Sequence, residues 1–235
     1  VGVSHLYPAV ATKADGSFIV AWQAINAAGQ SFIVAREMTS AGVAVADAFG
    51  VSSDSTLSKA NPAIATSSAD EFVITWSQYI SETNITDVFA TKYDNSGSVA
   101  VSEFRVNAAR ANAQNQVDVG MTDAGAMVFS YTDFDKDGDK AGVFLNVFDD
   151  EGTLIVNNMQ LNATTDDYQM SASIAFNTDN GPLIGTWQDG LYASDTARDG
   201  SGYGIYSREF AIAENTKPNE VTQDLTVNLK SAGTA

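Results

Sequence analysis

One motif recurs four times along this chain, and the recurrence decides most of what it can fold into. An apolar, strand-like run ends in an aromatic residue each time: SFIVAWQ at Trp22, EFVITWSQ at Trp76, AMVFSYTD at Tyr131 and PLIGTWQD at Trp187, at steps of 54, 55 and 56 residues. Fourteen residues before each aromatic a second strand candidate begins: PAVAT from Pro8, PAIAT from Pro62, VDVGM from Val117 and SIAFN from Ser173. Between the two lie residues that supply tight turns, namely Asp15 and Gly16, Ala69 and Asp70, Asp123 to Gly125, and Asp179 to Gly181.

The rest of each unit repeats too. SFIVAREM, DVFATKYD, GVFLNVFD and YGIYSREF read as third strands, the first three followed by turns closing on Gly42, Gly97 and Gly152. AFGVSS, EFRVNA and MQLNAT then give a fourth strand in the first three copies, around Phe49, Phe104 and Met159, while the last copy has no clean match. No stretch carries a helical period, so the chain reads as all-β, in units of about 55 residues and four short strands. Along the Trp22 strand, Phe18, Val20 and Trp22 share one face and Ile19 and Ala21 the other. Both faces are apolar, which predicts a strand covered on two sides. Four-stranded sheets stacked face to face at this repeat length are the blades of a β-propeller, whereas an immunoglobulin-like sandwich needs about 100 residues per module. The expected fold is a β-propeller of four blades, or part of a larger one, with blades at about 1–53, 54–108, 109–164 and 165–213. Residues 214–235 are expected to form a closing strand, DLTVNL, or a linker to a further domain.

Composition narrows the function. With 12 Lys and Arg against 29 Asp and Glu, the formal net charge is −17, which repels phosphate backbones and anionic lipid and argues against nucleic-acid binding. No apolar run is long enough to cross a bilayer, so the chain reads as soluble, without membrane insertion, and as a mature form or a fragment. It has no cysteine, which removes disulfides, thiolate zinc and cysteine nucleophiles. A single histidine, His5, lies outside the repeats, where a serine–histidine–aspartate relay is not expected.

The sharpest local pattern is TDFDKDGDKAG, following Tyr131. Asp133, Asp135 and Asp137 at alternate positions, then Gly138 and Asp139, make a D-x-D-x-D-G series whose carboxylates can converge on a hard cation. Ca2+ is the expected ion, with Asp133, Asp135 and Asp137 as side-chain ligands and Asp139 offering a carboxylate or its carbonyl; the alternative is a solvated acidic hairpin loop. The loop resembles the first half of an EF-hand or dockerin loop, and more closely the calcium loops of integrin-type propellers. It departs from the EF-hand at Phe144, where a Glu belongs, and from the integrin type at Ala141. The equivalent loop of the fourth copy, with Asp189, Asp195 and Asp199, matches no calcium spacing. Trp22, Trp76, Tyr131 and Trp187 are expected to pack between blades; Tyr79, Tyr192 and Tyr203 are better placed to meet a sugar.

As a whole, the PAVATKADGSFIVAW and EFRVN segments resemble units of about 50 residues found in large bacterial secreted proteins beside hemolysin-type (RTX) calcium repeats, although the RTX nonapeptide itself is absent. The resemblance implies an extracellular or cell-surface location and a calcium-associated adhesion context. The expected function is therefore a calcium-binding module for adhesion to a glycan or surface protein, with no enzymatic activity and no catalytic residue. A self-assembling subunit of a sheath, filament or surface layer is the alternative. A carbohydrate-active hydrolase ranks below both, because the Asp-box spacing of propeller sialidases fails between Asp179 and Trp187.

Overall fold

In a computed structural model of the protein, residues 4–210 are described apart from 53–56, 81–82, 84, 108–111, 135, 164, 177–181 and 191–203. The described residues form fifteen strands and no helix. The first blade holds β1 (Ser4–Thr12), β2 (Phe18–Ile25), β3 (Ser31–Met38) and β4 (Phe49–Gly50), and the second β5 (Lys59–Thr66), β6 (Phe72–Ile80), β7 (Ile85–Tyr93) and β8 (Val99–Arg105). The third holds β9 (Gln114–Met121), β10 (Met127–Phe134), β11 (Ala141–Phe148) and β12 (Leu154–Gln160). The fourth shows β13 (Gln169–Phe176), β14 (Leu183–Asp189) and β15 (Gly204–Phe210), all pairs within blades being antiparallel. This is the β-propeller architecture that the repeat predicts. The closing strand or linker expected at 214–235 lies outside the described residues.

Turn chemistry sets the hairpins. At Gly16, Asp70 and Gly125 the chain is left-handed, and each amide donates to the carbonyl three residues back, on Lys13, Ser67 and Thr122 respectively. Asp70 stands where the other blades use glycine, because a short carboxamide or carboxylate side chain tolerates that conformation better than others. The turns after β7 and β11 are fixed by Asp94 and Asp149, whose Oδ1 atoms accept amides two and four residues on.

The first strands of successive blades pack on one another, β1 on β5, β5 on β9 and β9 on β13, so they line the axis of the array. Apolar cores lie between blades. Ile19, Ala21, Ile33, Ala35 and Val51 of the first blade meet Phe72, Ile74, Trp76 and Tyr93 of the second. Val73, Val88, Ala90 and Val106 of the second meet Met127, Phe129, Tyr131, Phe144 and Phe148 of the third. Val128, Val143, Leu145 and Leu161 then meet Leu183, Trp187 and Phe210. Each blade thus presents small aliphatic side chains on one face and large, mostly aromatic ones on the other. Trp76, Tyr131 and Trp187 are buried in these seams as expected. Trp22 departs from the expectation: with Phe18 and Val20 it is only half-buried, since no described blade precedes the first. Its Nε1–H donates to Nδ1 of the exposed His5 at 2.7 Å.

Candidate functional site

Antiparallel order places the start of every axial strand at one end of the array, where the segments joining second to third strands also emerge, together with the blade-to-blade connections. The opposite end carries the tight turns. The segment between second and third strands ranges from four residues in the second blade (81–84) to fourteen in the fourth (190–203), so sequence variation concentrates at the loop-bearing end. Ligand sites on repeat scaffolds are drawn from such ends.

Just inside this end, each axial strand carries a bulge. The pairing shifts register between Leu6 and Ala9, between Ala60 and Ala63, opposite Ser130 to Thr132, and between Met170 and Ser173. Within each bulge one non-glycine residue is left-handed: Tyr7, Asn61, Gln116 and Ser171, at φ of 50°, 53°, 53° and 55°. Such residues are uncommon, and four at equivalent places show that the bulge belongs to the repeat. Gln116 ties two blades together there, its Oε1 accepting from Thr132 Oγ1 (2.9 Å) and from the Ser171 amide (3.1 Å).

Behind the bulges runs a buried polar relay. Asn107, just past β8, donates from Nδ2 to Asp87 Oδ1 (2.9 Å) and to Gln114 Oε1 (2.8 Å), and its Oδ1 accepts from the Val88 amide (2.8 Å). Asn162 repeats this one blade on, donating to Gln169 Oε1 (3.0 Å) and Asp137 Oδ2 (3.2 Å) and accepting from the Val143 amide (2.9 Å). Asp87 has its counterpart at Gly142, and a Cβ there would collide with the Asp137 carboxylate. Asp137 therefore reaches in from the loop to fill the place that Asp87 fills in the preceding blade. The repeated V-N-A and L-N-A of residues 106–108 and 161–163 is the sequence signal for this relay, visible but not interpretable without the neighbouring blade.

Gln114 and Gln169 pair with Asp133 and Asp189, the last polar residues of the aromatic-bearing strands β10 and β14. Both carboxylates are almost fully buried. Asp133 lies 3.4 Å from the Lys136 ammonium, which also donates to Asn158 Oδ1 and sits 4.5 Å above the Phe144 ring. Burial holds the Asp133 carboxyl above the usual carboxylate range, with Lys136, Gln114 and Asn112 offsetting part of that rise. The same burial lowers the Lys136 ammonium, with Asp133 opposing.

The four aspartates expected to share a calcium ion are arranged as follows. Asp133 turns inward to Lys136, Asp137 engages Asn162, and Asp139 Oδ2 accepts the Asp167 amide at 2.7 Å. Asp135 lies outside the described residues, as do Asp195, Asp199, Tyr192 and Tyr203. Among the described residues no group of three or more His, Cys, Asp or Glu could hold a metal ion. Tyr79 is exposed at the end of β6, on the loop-bearing side.

No family model and no curated protein sequence matches the chain. Solved structures do. A Hadza microbial sialidase aligns with a TM-score of 0.62 at 11% identity, over 97% of this chain and 46% of that one. A thermostable family-43 glycoside hydrolase aligns at 0.55 and 11% identity, over 98% and 75%. A Penicillium chrysogenum α-L-arabinanase complexed with arabinobiose aligns at 0.59 and 13% identity, over 90% and 64%. The chain spans about half the length of the sialidase it resembles. These likenesses bear out the propeller fold; they do not carry over to the RTX-associated or integrin-type repeat. They also correct two expectations, since the proteins matched are carbohydrate-active hydrolases rather than calcium-binding adhesion modules or proteins without catalytic activity.

Proposed function

We propose that this chain is the blade array of a carbohydrate-active hydrolase that cleaves glycosidic bonds at the loop-bearing end of the axis. Supporting it are the solved likenesses to glycoside hydrolases and, as the single observation carrying most weight, the buried Asp133 with its raised pKa. Glycoside hydrolysis uses two carboxyl groups, one of which must hold its proton near neutral pH to protonate the departing oxygen. Burial moves the Asp133 carboxyl in the direction a general acid needs, and Asp189, its positional equivalent in the next blade, offers the second carboxylate on the same rim. The acidic, cysteine-free composition and the RTX-type resemblance support an extracellular place of action on a glycan.

The test is product release from a panel of polysaccharides and aryl glycosides, with Asp133→Asn and Asp189→Asn beside the parent. Loss of a general acid is expected to lower the rate about 10²–10⁴-fold. Asp133→Asn should keep its melting temperature at pH 7. The raised pKa means that the folded carboxyl takes its proton more readily than the unfolded one; the stability it contributes is present at low pH and lost as pH rises through the folded value. An amide at this position cannot ionise and carries no such pH dependence. A folded parent that releases no product from any member of the panel sinks the proposal.

Calcium at Asp133, Asp135, Asp137 and Asp139 is a separate proposal, motivated by the D-x-D-x-D-G spacing; it requires Asp133 to exchange Lys136, and Asp137 to exchange Asn162, for the ion. A melt in calcium against EDTA, repeated on Asp139→Ala, tests it: no calcium-dependent shift in the parent rejects it.

A further inference from the structure

The two end blades expose the faces that every inner seam buries. Ile19, Val73 and Val128 occupy one repeat position and are all 0% exposed, whereas their fourth-blade equivalent Ile184 is 36% exposed. Ile33, Val88 and Val143 occupy another, again at 0%, and their equivalent Ile205 is 59% exposed. Among the described residues, nothing covers the small-residue face of the fourth blade. At the other end, among the described residues, the large-residue face is uncovered: Phe18, Val20 and Trp22 are half-buried, whereas their second- and third-blade equivalents, Phe72, Ile74, Trp76, Met127, Phe129 and Tyr131, are all buried. On the adjoining axial strand Tyr7 and Val10 are exposed as well.

The chain itself displays what covers such faces. Three times over, the small-residue face of one blade seats on the large-residue face of the next. The polar relay obeys the same order: Asn107 reaches forward to Gln114 and Asn162 to Gln169, the residues beginning each following blade. His5 holds that receiving position in the first blade, opposite Ala24 as Gln114 is opposite Asp133, and it is exposed.

From this continuity with the internal seams we propose that a second copy of this chain closes the array, the fourth blade of each copy seating on the first blade of the other. One copy carries one open face of each kind at opposite ends, so a second copy satisfies both at once through two identical junctions related by a twofold axis. The junctions join unlike faces, and self-pairing of like faces is not part of the arrangement. Desolvation of Ile184, Ile205, Phe18, Val20 and Trp22 supplies the driving force.

Light scattering of the purified chain over micromolar concentrations is expected to give a two-chain particle. Ile184→Glu with Ile205→Glu should convert it to a monomer of unchanged fold, because both residues are exposed within one copy. Since the chain has no cysteine, its geometry can be read directly. Ile184→Cys and Val20→Cys chains treated with a short bis-maleimide should cross-link when mixed and not when alone. A monomeric parent, a particle of more than two chains, a double variant that still pairs, or cross-linking within either single-cysteine preparation overturns the proposal.

Discussion

Replacing Asn107 with alanine tests whether the buried relay holds neighbouring blades together. Asn107 is 2% exposed, and its hydrogen bonds include ones of 2.8–2.9 Å to the backbone of its own blade, to Asp87 and across the seam to Gln114. Truncation strands the Val88 amide and Gln114 Oε1 and leaves the Asp87 carboxylate, 1% exposed, with Arg105 at 3.4 Å. A stranded buried polar group costs about 1–3 kcal/mol, more for a charge. Taking the low end for the two neutral groups and allowing for solvent entering the space, the loss comes to about 3 kcal/mol. In a chain of this size that corresponds to a fall of about 6–12 °C in melting temperature. Differential scanning calorimetry of Asn107→Ala measures it. Asn162→Ala, which breaks the equivalent set in the next seam, should lose a similar amount, and the double variant should lose about the sum, the hydrogen bonds described at the two sites having no partner in common. The first seam supplies the control, because Ser52 stands at the repeat position of Asn107 and its hydroxyl makes no hydrogen bond among the described residues. Ser52→Ala should stay within about 0.5 kcal/mol of the parent. A loss below about 1 kcal/mol for Asn107→Ala, or an equal loss for Ser52→Ala, would refute the view that this relay locks the blades.

Two further outcomes follow from the seams. Burial pushes the Tyr93 hydroxyl up to about 12, with Glu103 adding to the rise, so the unfolded chain ionises first as pH climbs from 10. The stability that Tyr93 contributes is complete below pH 10 and lost as pH rises through about 12; alkaline unfolding followed by circular dichroism should be less steep in Tyr93→Phe. Gly185 packs so closely on Leu161, which is 0% exposed, that a Cβ would overlap it. Gly185→Ala is expected to cost about 1–3 kcal/mol in urea unfolding, whereas at Gly50, where nothing lies within 4 Å, alanine should be nearly neutral.

Much of this was legible in the residues. The strands follow from alternation at period two, and the hairpins follow from Gly16, Gly97, Gly125 and Gly152, whose left-handed backbone only a few residue types adopt without strain. The seams were partly legible, since Trp76 and Tyr131 sit on strands apolar on both faces. The same pattern misassigned Trp22: a side chain is buried only if something lies beyond it, and repeats that look alike in sequence differ in whether a described blade lies beside them. The acidic loop shows the other limit. Alternate aspartates from Asp133 to Asp139 suggest convergence, yet Asp133 follows the β10 strand inward to Lys136 while Asp137 enters the space left by Gly142. Spacing along the chain fixes which carboxylates are near one another, and not where each points.

The sequence by itself determined the all-β class, the repeat length and the positions of strands and turns, because these depend on interactions within a few residues. Only the tertiary structure decided which faces are sealed and which are open, that Asn107 and Asn162 bridge blades, and that the Asp133 carboxyl is taken out of water. Each of those depends on desolvation and on how one blade packs against the next, which no local pattern encodes.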